Sequence, residues 1–432
     1  MKSKWHHDML IAYKERCQLA EFNTSYPLRP EHWSSYRSNE LLTFGTELSL
    51  YLHIPFCPQL CSFCEYTRMA TPRENLQAHY VQTILRELRT FGELNPQFQL
   101  AGFDIGGGTP TALSTHLLEL LLLEYRQFLS SRKLASDFEP SIESTFQTAT
   151  ADKLRVIGAA GIERLSLGVQ SATGSLLRAH ARLNESEERM LEVITTAHDS
   201  GIQKVNLDFM YGLPGQTPAS IHSDLALIQR LSPEQITLYE LRTNMVQLPS
   251  ASADMRFAAY NIWYQGLLEL GYCAPFGRNT FSRNPADAGC SSYLRKRMFY
   301  ATPYRGFGIS AQSMGLNGIS YNKGKGLGAG NLRQCVEEPD YSPQDVYLLS
   351  SAELAAKYIA VAGYSGQFSL RVASRLLGCD AADYYAEPIL FCQEWELLQL
   401  VDDDILRITP KGFRHIGAVF SLFYSPPSVT NI

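Results

Sequence analysis

Three cysteines fall within eight residues, in Tyr51-Leu52-His53-Ile54-Pro55-Phe56-Cys57-Pro58-Gln59-Leu60-Cys61-Ser62-Phe63-Cys64, directly after an apolar, β-rich run. Cysteine thiolates are the usual protein ligands of a [4Fe–4S] cube, and a short loop carrying three of them can wrap three corners. Three ligands leave one iron open. An open position marks a metal that binds substrate or cofactor, by the logic that separates catalytic zinc sites from closed structural ones. A zinc knuckle is the competing reading. It needs a fourth Cys or His close by, and His53, inside the strand pattern, is the nearby candidate.

At 432 residues the chain is long enough for two or three domains with a large core, and 45% hydrophobic with 19% charged residues is an ordinary globular balance. A net charge of −5 gives no electrostatic case for nucleic acid or an anionic membrane as a bulk partner. No stretch reaches the roughly 18–20 apolar residues of a membrane span. The start, Met1-Lys2-Ser3-Lys4-Trp5-His6-His7, is followed by no apolar signal core, so a cytoplasmic protein is expected. The other six cysteines (Cys17, Cys273, Cys290, Cys335, Cys379, Cys392) are scattered and read as free thiols of a reducing compartment.

From residue 46 to about 245, short apolar runs alternate with amphipathic helical stretches, the signal of βαβ units and a parallel sheet. Strands are expected near 48–54, 101–105, 139–143, 163–168, 204–208 and 235–240, with helices such as 73–94 and 186–200 between them. Polar groups end these runs: Gly106-Gly107-Gly108-Thr109-Pro110, Glu143, Gln170 and Asp208. In such folds chemistry sits where strands end. A helix is expected around 9–17. Beyond 246 the alternation fades into helices, with 253–270 and 351–361 as candidates. Residues 315–331 are Gly-rich and read as a mobile loop. Residues 397–401, 405–409 and 410–412 read as helix, strand and turn of a small winged-helix unit.

The spelling Cys57-x3-Cys61-x2-Cys64 resembles the radical S-adenosylmethionine (SAM) superfamily, and Tyr51-x-His53-Ile54-Pro55-Phe56-Cys57 narrows the likeness to the branch typified by oxygen-independent coproporphyrinogen III oxidase. Gly107-Gly108-Thr109-Pro110, the run from Asp208 through Met210 and Gly212 to Thr217, the segment Tyr304 to Ser313, and Asn23-Thr24-Ser25-Tyr26-Pro27 resemble further phrases of that branch. The resemblance implies an α/β fold: a partial (β/α)6 TIM-type barrel over 46–245, an N-terminal arm over 1–45, and over 246–432 a mainly helical C-terminal domain with a winged-helix-like lid. It implies a [4Fe–4S] cluster on Cys57, Cys61 and Cys64, whose open iron is chelated by SAM, and cleavage of that SAM to a 5′-deoxyadenosyl radical. Tyr51, Phe63, Gly107, Gly108, Thr109, Glu143, Gln170, Arg182, Asp208 and Met210 stand at SAM-contacting positions, with Arg178 one turn from Arg182.

Two departures bear on the reaction. The oxidase continues its motif as Cys-x3-Cys-x2-Cys-x-Cys, whereas Glu65-Tyr66 follow Cys64 here; heme-chaperone relatives carry His-Asn-x-x-Tyr-Trp where this chain has Gly289-Cys290-Ser291-Ser292-Tyr293-Leu294. The resemblance then leans to class C radical SAM methyltransferases and cyclopropanases, which use a second SAM for methyl or methylene transfer to an unsaturated carbon of a natural product. The alternatives are porphyrin-directed chemistry, by propionate decarboxylation or heme ring opening, and a non-catalytic heme- or cluster-carrying relative. The basic, aromatic stretch 294–300 is either a grip for propionates or a solvated helix face. A small-molecule substrate, a flavodoxin- or ferredoxin-type electron donor and a monomeric state complete the expectation.

Overall fold

The computed structural model describes residues 4–18, 26, 30–183, 185–243, 246–327 and 329–424. Of the segment 23–27 only Tyr26 lies among them. Six strands stand within three residues of their expected places: β1 (Glu47–Ile54), β2 (Gln99–Gly107), β3 (Ser141–Ser144), β4 (Arg164–Gln170), β5 (Lys204–Tyr211) and β6 (Gln235–Glu240). Consecutive strands pair in parallel from β1 to β6. Their apolar runs are buried along most of their length, as helices on the outer face require.

Those helices follow from spacing and caps. Glu74–Leu94 buries Tyr80, Val81, Ile84, Leu85 and Leu88 along one stripe. Ser114 and Ser186 accept the third amide of Thr115–Ser130 and Glu187–Asp199, and Thr217 with Ser220 forms a capping box on Pro218–Leu231. Burying Leu88 and Ile84 completely is worth about 1.5–3 kcal/mol each, so the barrel is held mainly by this contact between helices and sheet.

The sheet does not end at residue 245. β7 (Thr280–Ser282) lies antiparallel to β6, and β8 (Tyr304–Phe307) lies parallel to β1 on its other edge. β9 (Gln312–Met314), β10 (Gly318–Asn322) and β11 (Pro343–Leu348) then extend the sheet antiparallel. The mainly helical C-terminal region also holds these strands, which are short and gain their stability from partners far away in the chain. The expectation of a mobile loop fails over part of 315–331: residues 318–322 are a strand and Ala329–Val336 a helix, because β11 supplies a pairing edge that composition cannot show.

Helices Ala253–Glu269, Ser292–Tyr300 and Ser351–Ala362 cover this region, and Leu370–Leu377 and Ala386–Glu394 pack with a three-stranded sheet in a winged-helix-like unit. In that sheet Leu398–Val401 is a strand where a helix was expected, and Pro410–Phe413 a short helix where a turn was expected. Asp402 and Asp403, both left-handed with φ of 52° and 53°, return the chain onto Ile405–Ile408. The N-terminal helix Lys4–Cys17 packs on the C-terminal helices. Tyr26 and Trp33 both donate to the buried carboxylate of Glu353, Trp33 Nε1 at 2.8 Å. Among the described residues no helix is long and apolar enough to cross a membrane.

Candidate active site

The cysteine loop leaves the C-terminal end of β1 and is tied down on every side. Met69 N donates to Pro55 O (2.8 Å) and Thr71 N to Cys57 O (3.0 Å). Ser62 N donates to His180 O (3.1 Å), and the Ser62 hydroxyl lies 3.1 Å from His180 Nδ1. His180 Nε2 faces the Pro214 carbonyl, so it carries the proton and Nδ1 accepts from Ser62. Arg68 gives Nη2 to Cys61 O, and Thr109 gives its hydroxyl to Cys57 Sγ at 3.7 Å.

The three thiols lie within electrostatic reach of one another. Burial pushes the Cys57 thiol up to about 11 and raises Cys64, so thiolate forms there when a metal takes its charge. His53 cannot complete a zinc site: its ring is buried against Gly107 and Nε2 lies 2.9 Å from the Thr67 carbonyl, with burial holding its pKa down to about 4. No group of His, Cys, Asp or Glu among the described residues converges as the ligands of a single ion would. A cube in which no iron takes more than one of the three thiolates asks for no such convergence. The donor set fits a cluster.

The Gly106–Gly108 turn presses on this loop. Gly107 N donates to Glu143 Oε2 (2.9 Å), Gly108 N to Ile54 O and Thr109 N to Phe56 O (both 2.8 Å). A Cβ on Gly106 would sit 2.5 Å from the Glu143 carboxyl carbon, and one on Gly108 2.8 Å from the Pro55 carbonyl carbon. The turn's amides at 107, 108 and 109 are thus spent on the protein, and its Cβ positions are filled by Glu143, His53 and the backbone of 54–56, so glycine is required there by close packing within the fold. Glu143 on β3 and Asp208 on β5 flank β4, their acidities weakened by burial to about 7 and about 6, and Asp208 accepts from Ser166 (3.0 Å) and Asn206 (2.7 Å).

Gln170 is left-handed (φ 72°) at a bulge between β4 and β5. Arg182 gives Nη2 to Gly168 O and holds Nη1 3.9 Å from Cys61 Sγ, whereas Arg178 is exposed. Phe63 and Met210 share an apolar cluster with Cys61, Leu176 and Leu213, and Tyr51 stacks on Tyr293 with centroids 5.6 Å apart.

Glu143 keeps solvent access although its neighbours in β3 are buried and it lies deep enough for the surrounding protein to raise its pKa, and Tyr66 is 51% exposed although Tyr51, Glu143 and Tyr239, on three strands, all act on its hydroxyl. Both therefore face an open space inside the fold. Sequence reasoning missed what lines its far side. Arg297 projects from helix Ser292–Tyr300 to Gln312 (3.2 Å) with its guanidinium 4.8 Å over Tyr304, while Arg295 and Lys296 pair outward with Asp137, so the stretch 294–300 is half grip and half surface. Lys325 covers the Tyr321 ring at 3.3 Å. Lys357 is buried, donates to Tyr26 O (2.6 Å) and has its pKa lowered to about 7 by burial and by Arg297, Arg242 and Lys325. The buried Arg297 Nε and Tyr364 hydroxyl have no hydrogen-bond partner among the described residues.

Residues 51–228 match the family model described as the radical SAM superfamily, so this chain carries a radical SAM domain, with a [4Fe–4S] cluster and SAM as its cofactors. Its relatives are HemN-like. The heme chaperone HemW of Haemophilus influenzae is 34% identical over 45% of this chain and 51% of that protein. The oxygen-independent coproporphyrinogen III oxidase of Bradyrhizobium diazoefficiens is 31% identical over 54% of this chain and 52% of that protein. The chain spans about half the length of the curated relatives it matches. The solved coproporphyrinogen III oxidase (HemN) from Escherichia coli superposes with a TM-score of 0.71 over 88% of this chain and 90% of that one at 24% identity, a likeness of fold.

Proposed function

We propose that this radical SAM enzyme works on an acidic tetrapyrrole, by hydrogen abstraction from a carboxylate-bearing side chain, in preference to methyl transfer to a natural product. The observation that carries the reading is the set of Arg242, Arg297 and Lys325 within electrostatic reach of the buried Lys357, with Arg297 Nε buried and without a partner among the described residues; an anion there would satisfy that Nε and offset the like charges that push Lys357 down. Porphyrin-related names among the relatives support it.

Cys57, Cys61 and Cys64 hold the cluster; Gly107, Gly108, Thr109, Glu143, Arg182 and Asp208 hold SAM, with Tyr51, Phe63, Gln170 and Met210 beside it. When bound, the cluster and SAM supply a 5′-deoxyadenosyl radical that takes a hydrogen atom from carbon. Arg182 meets a carboxylate with a forked donor set, and Glu143 and Asp208, ionised, accept from ammonium and hydroxyl groups. Arg297 and Lys357 orient the substrate by its carboxylates so that its reacting carbon faces the cysteine loop. A flavodoxin- or ferredoxin-type protein supplies the electron.

Anaerobic turnover with coproporphyrinogen III, SAM and reductant should give 5′-deoxyadenosine and carbon dioxide. Formation of S-adenosylhomocysteine without carbon dioxide would overturn the proposal in favour of methyl transfer.

A further inference from the structure

One of the four cations is already engaged. Arg242 follows β6, lies 5.2 Å over the Tyr364 ring and gives Nη2 to the carboxylate of Glu65, the residue after Cys64. Arg297 meets Gln312 and ring faces, Lys325 meets the Tyr321 ring, and Lys357 meets a carbonyl. Among the described residues Arg242 is thus the member of the set whose ion pair is with a carboxylate of the chain itself.

We infer that Glu65 is an internal competitor for the substrate's carboxylate: an acidic group entering the space takes Arg242 from Glu65 and so moves the segment that carries Cys64. The inference rests on the acidic substrate proposed above. Exchanging one carboxylate for another on Arg242 is nearly neutral in Coulomb energy, but Glu65 is tethered, and a short tether acts as a millimolar local concentration. A ligand with one carboxylate competes poorly against it. A ligand with two or more engages Arg297 and Lys357 together with Arg242, and its gain on those two decides the exchange. The pair therefore sets a threshold that favours polycarboxylates over monocarboxylates.

The exchange also reaches the cluster ligand. The Tyr66 amide lies close enough to the Cys64 sulfur to favour its thiolate, and donors near ligand sulfurs are one lever on cluster potential. Glu65 sits between the two, so its release alters that approach.

The test uses the full chain and coproporphyrin III, followed by fluorescence, with its tetramethyl ester as the uncharged control. Glu65→Gln should bind the tetra-acid about fivefold tighter, the scale of one partly exposed ion pair, and the ester unchanged. Glu65→Asp, which withdraws the carboxylate from Arg242 while keeping its charge, should move affinity the same way, and Arg242→Gln should weaken it. In the reconstituted protein, coproporphyrin III should shift the cluster's midpoint potential in wild type and shift it less in Glu65→Gln. If wild type prefers the tetra-acid to the ester but neither Glu65 variant binds it more tightly, the competitor is refuted and the acidic substrate stands. If wild type binds acid and ester alike, both fall.

Discussion

Arg182 joins the Gly168 carbonyl to the Cys61 sulfur, so one guanidinium couples the end of β4 to a ligand of the cluster. Gly168 accommodates this because a Cβ there would lie 3.0 Å from Arg182 Nη2 and 2.8 Å from Gln170 Nε2. Arg182→Ala should weaken SAM binding to the reconstituted protein by about 1.5–3 kcal/mol, the worth of a hydrogen bond to a charged group, and leave iron content near four per chain. Equilibrium dialysis and iron analysis read the two separately. Unchanged SAM affinity would remove Arg182 from the SAM site.

His180 is a tether that the sequence did not announce. Its ring bonds to the Ser62 hydroxyl and to the Pro214 carbonyl, and both bonds are lost in His180→Ala. That variant should lose about 1–3 kcal/mol of stability and release iron faster on exposure to a chelator. An iron-release rate equal to wild type would show that the backbone bonds of Ser62 hold the loop unaided.

Glu143 and Asp208 give a pH signature with two opposite slopes. Burial raises both carboxyls in the folded chain, to about 7 and about 6, above the ordinary carboxylate value of about 4 that the unfolded chain retains. The folded state then binds protons more tightly. Its stabilisation is complete below about pH 4 and is lost as pH rises through 6 and 7. Melting of the cofactor-free protein should therefore fall from pH 5.5 to 8, and Glu143→Gln should flatten the fall. SAM affinity should rise over the same window, because the ionised carboxylates are the acceptors. A melting temperature that climbs across it would contradict the assignment.

Gln170 is held in the left-handed region, which costs a residue with a Cβ roughly 1–2 kcal/mol. Gln170→Gly removes that strain while loosening the unfolded chain, so melting should stay within about 1 kcal/mol of wild type. Because Gln170 is placed beside SAM, the variant should also depress formation of 5′-deoxyadenosine. An unchanged rate would remove Gln170 from the SAM site.

The strands β1 to β6 and the cysteine loop were legible because each rests on local signals: apolar runs, Gly-Thr-Pro punctuation and a fixed cysteine spacing. β8 to β11 were not, since runs as short as Gln312–Met314 carry no period of their own and exist through pairing with β1 and with one another. The cation set was invisible for the same reason. Arg297 and Lys357 sit on separate helices, residues 242 and 325 lie outside helices and strands, and the four share no spacing. The Leu398–Val401 strand was mistaken for a helix because five residues hold too little period to separate the two, and Asp402-Asp403 is the turn that would have told them apart.

β1 stands between β2 and β8, with Leu50 and Leu52 wholly enclosed. Excision of the region after residue 245 would strip one flank of this strand and leave a row of bare amides and carbonyls beside the thiols. Such a rim recruits a second copy of itself, so an expressed fragment ending there would collect as insoluble aggregate with oxidised cysteines. The matched segment 51–228 is thus a sequence unit whose shape is completed from outside it.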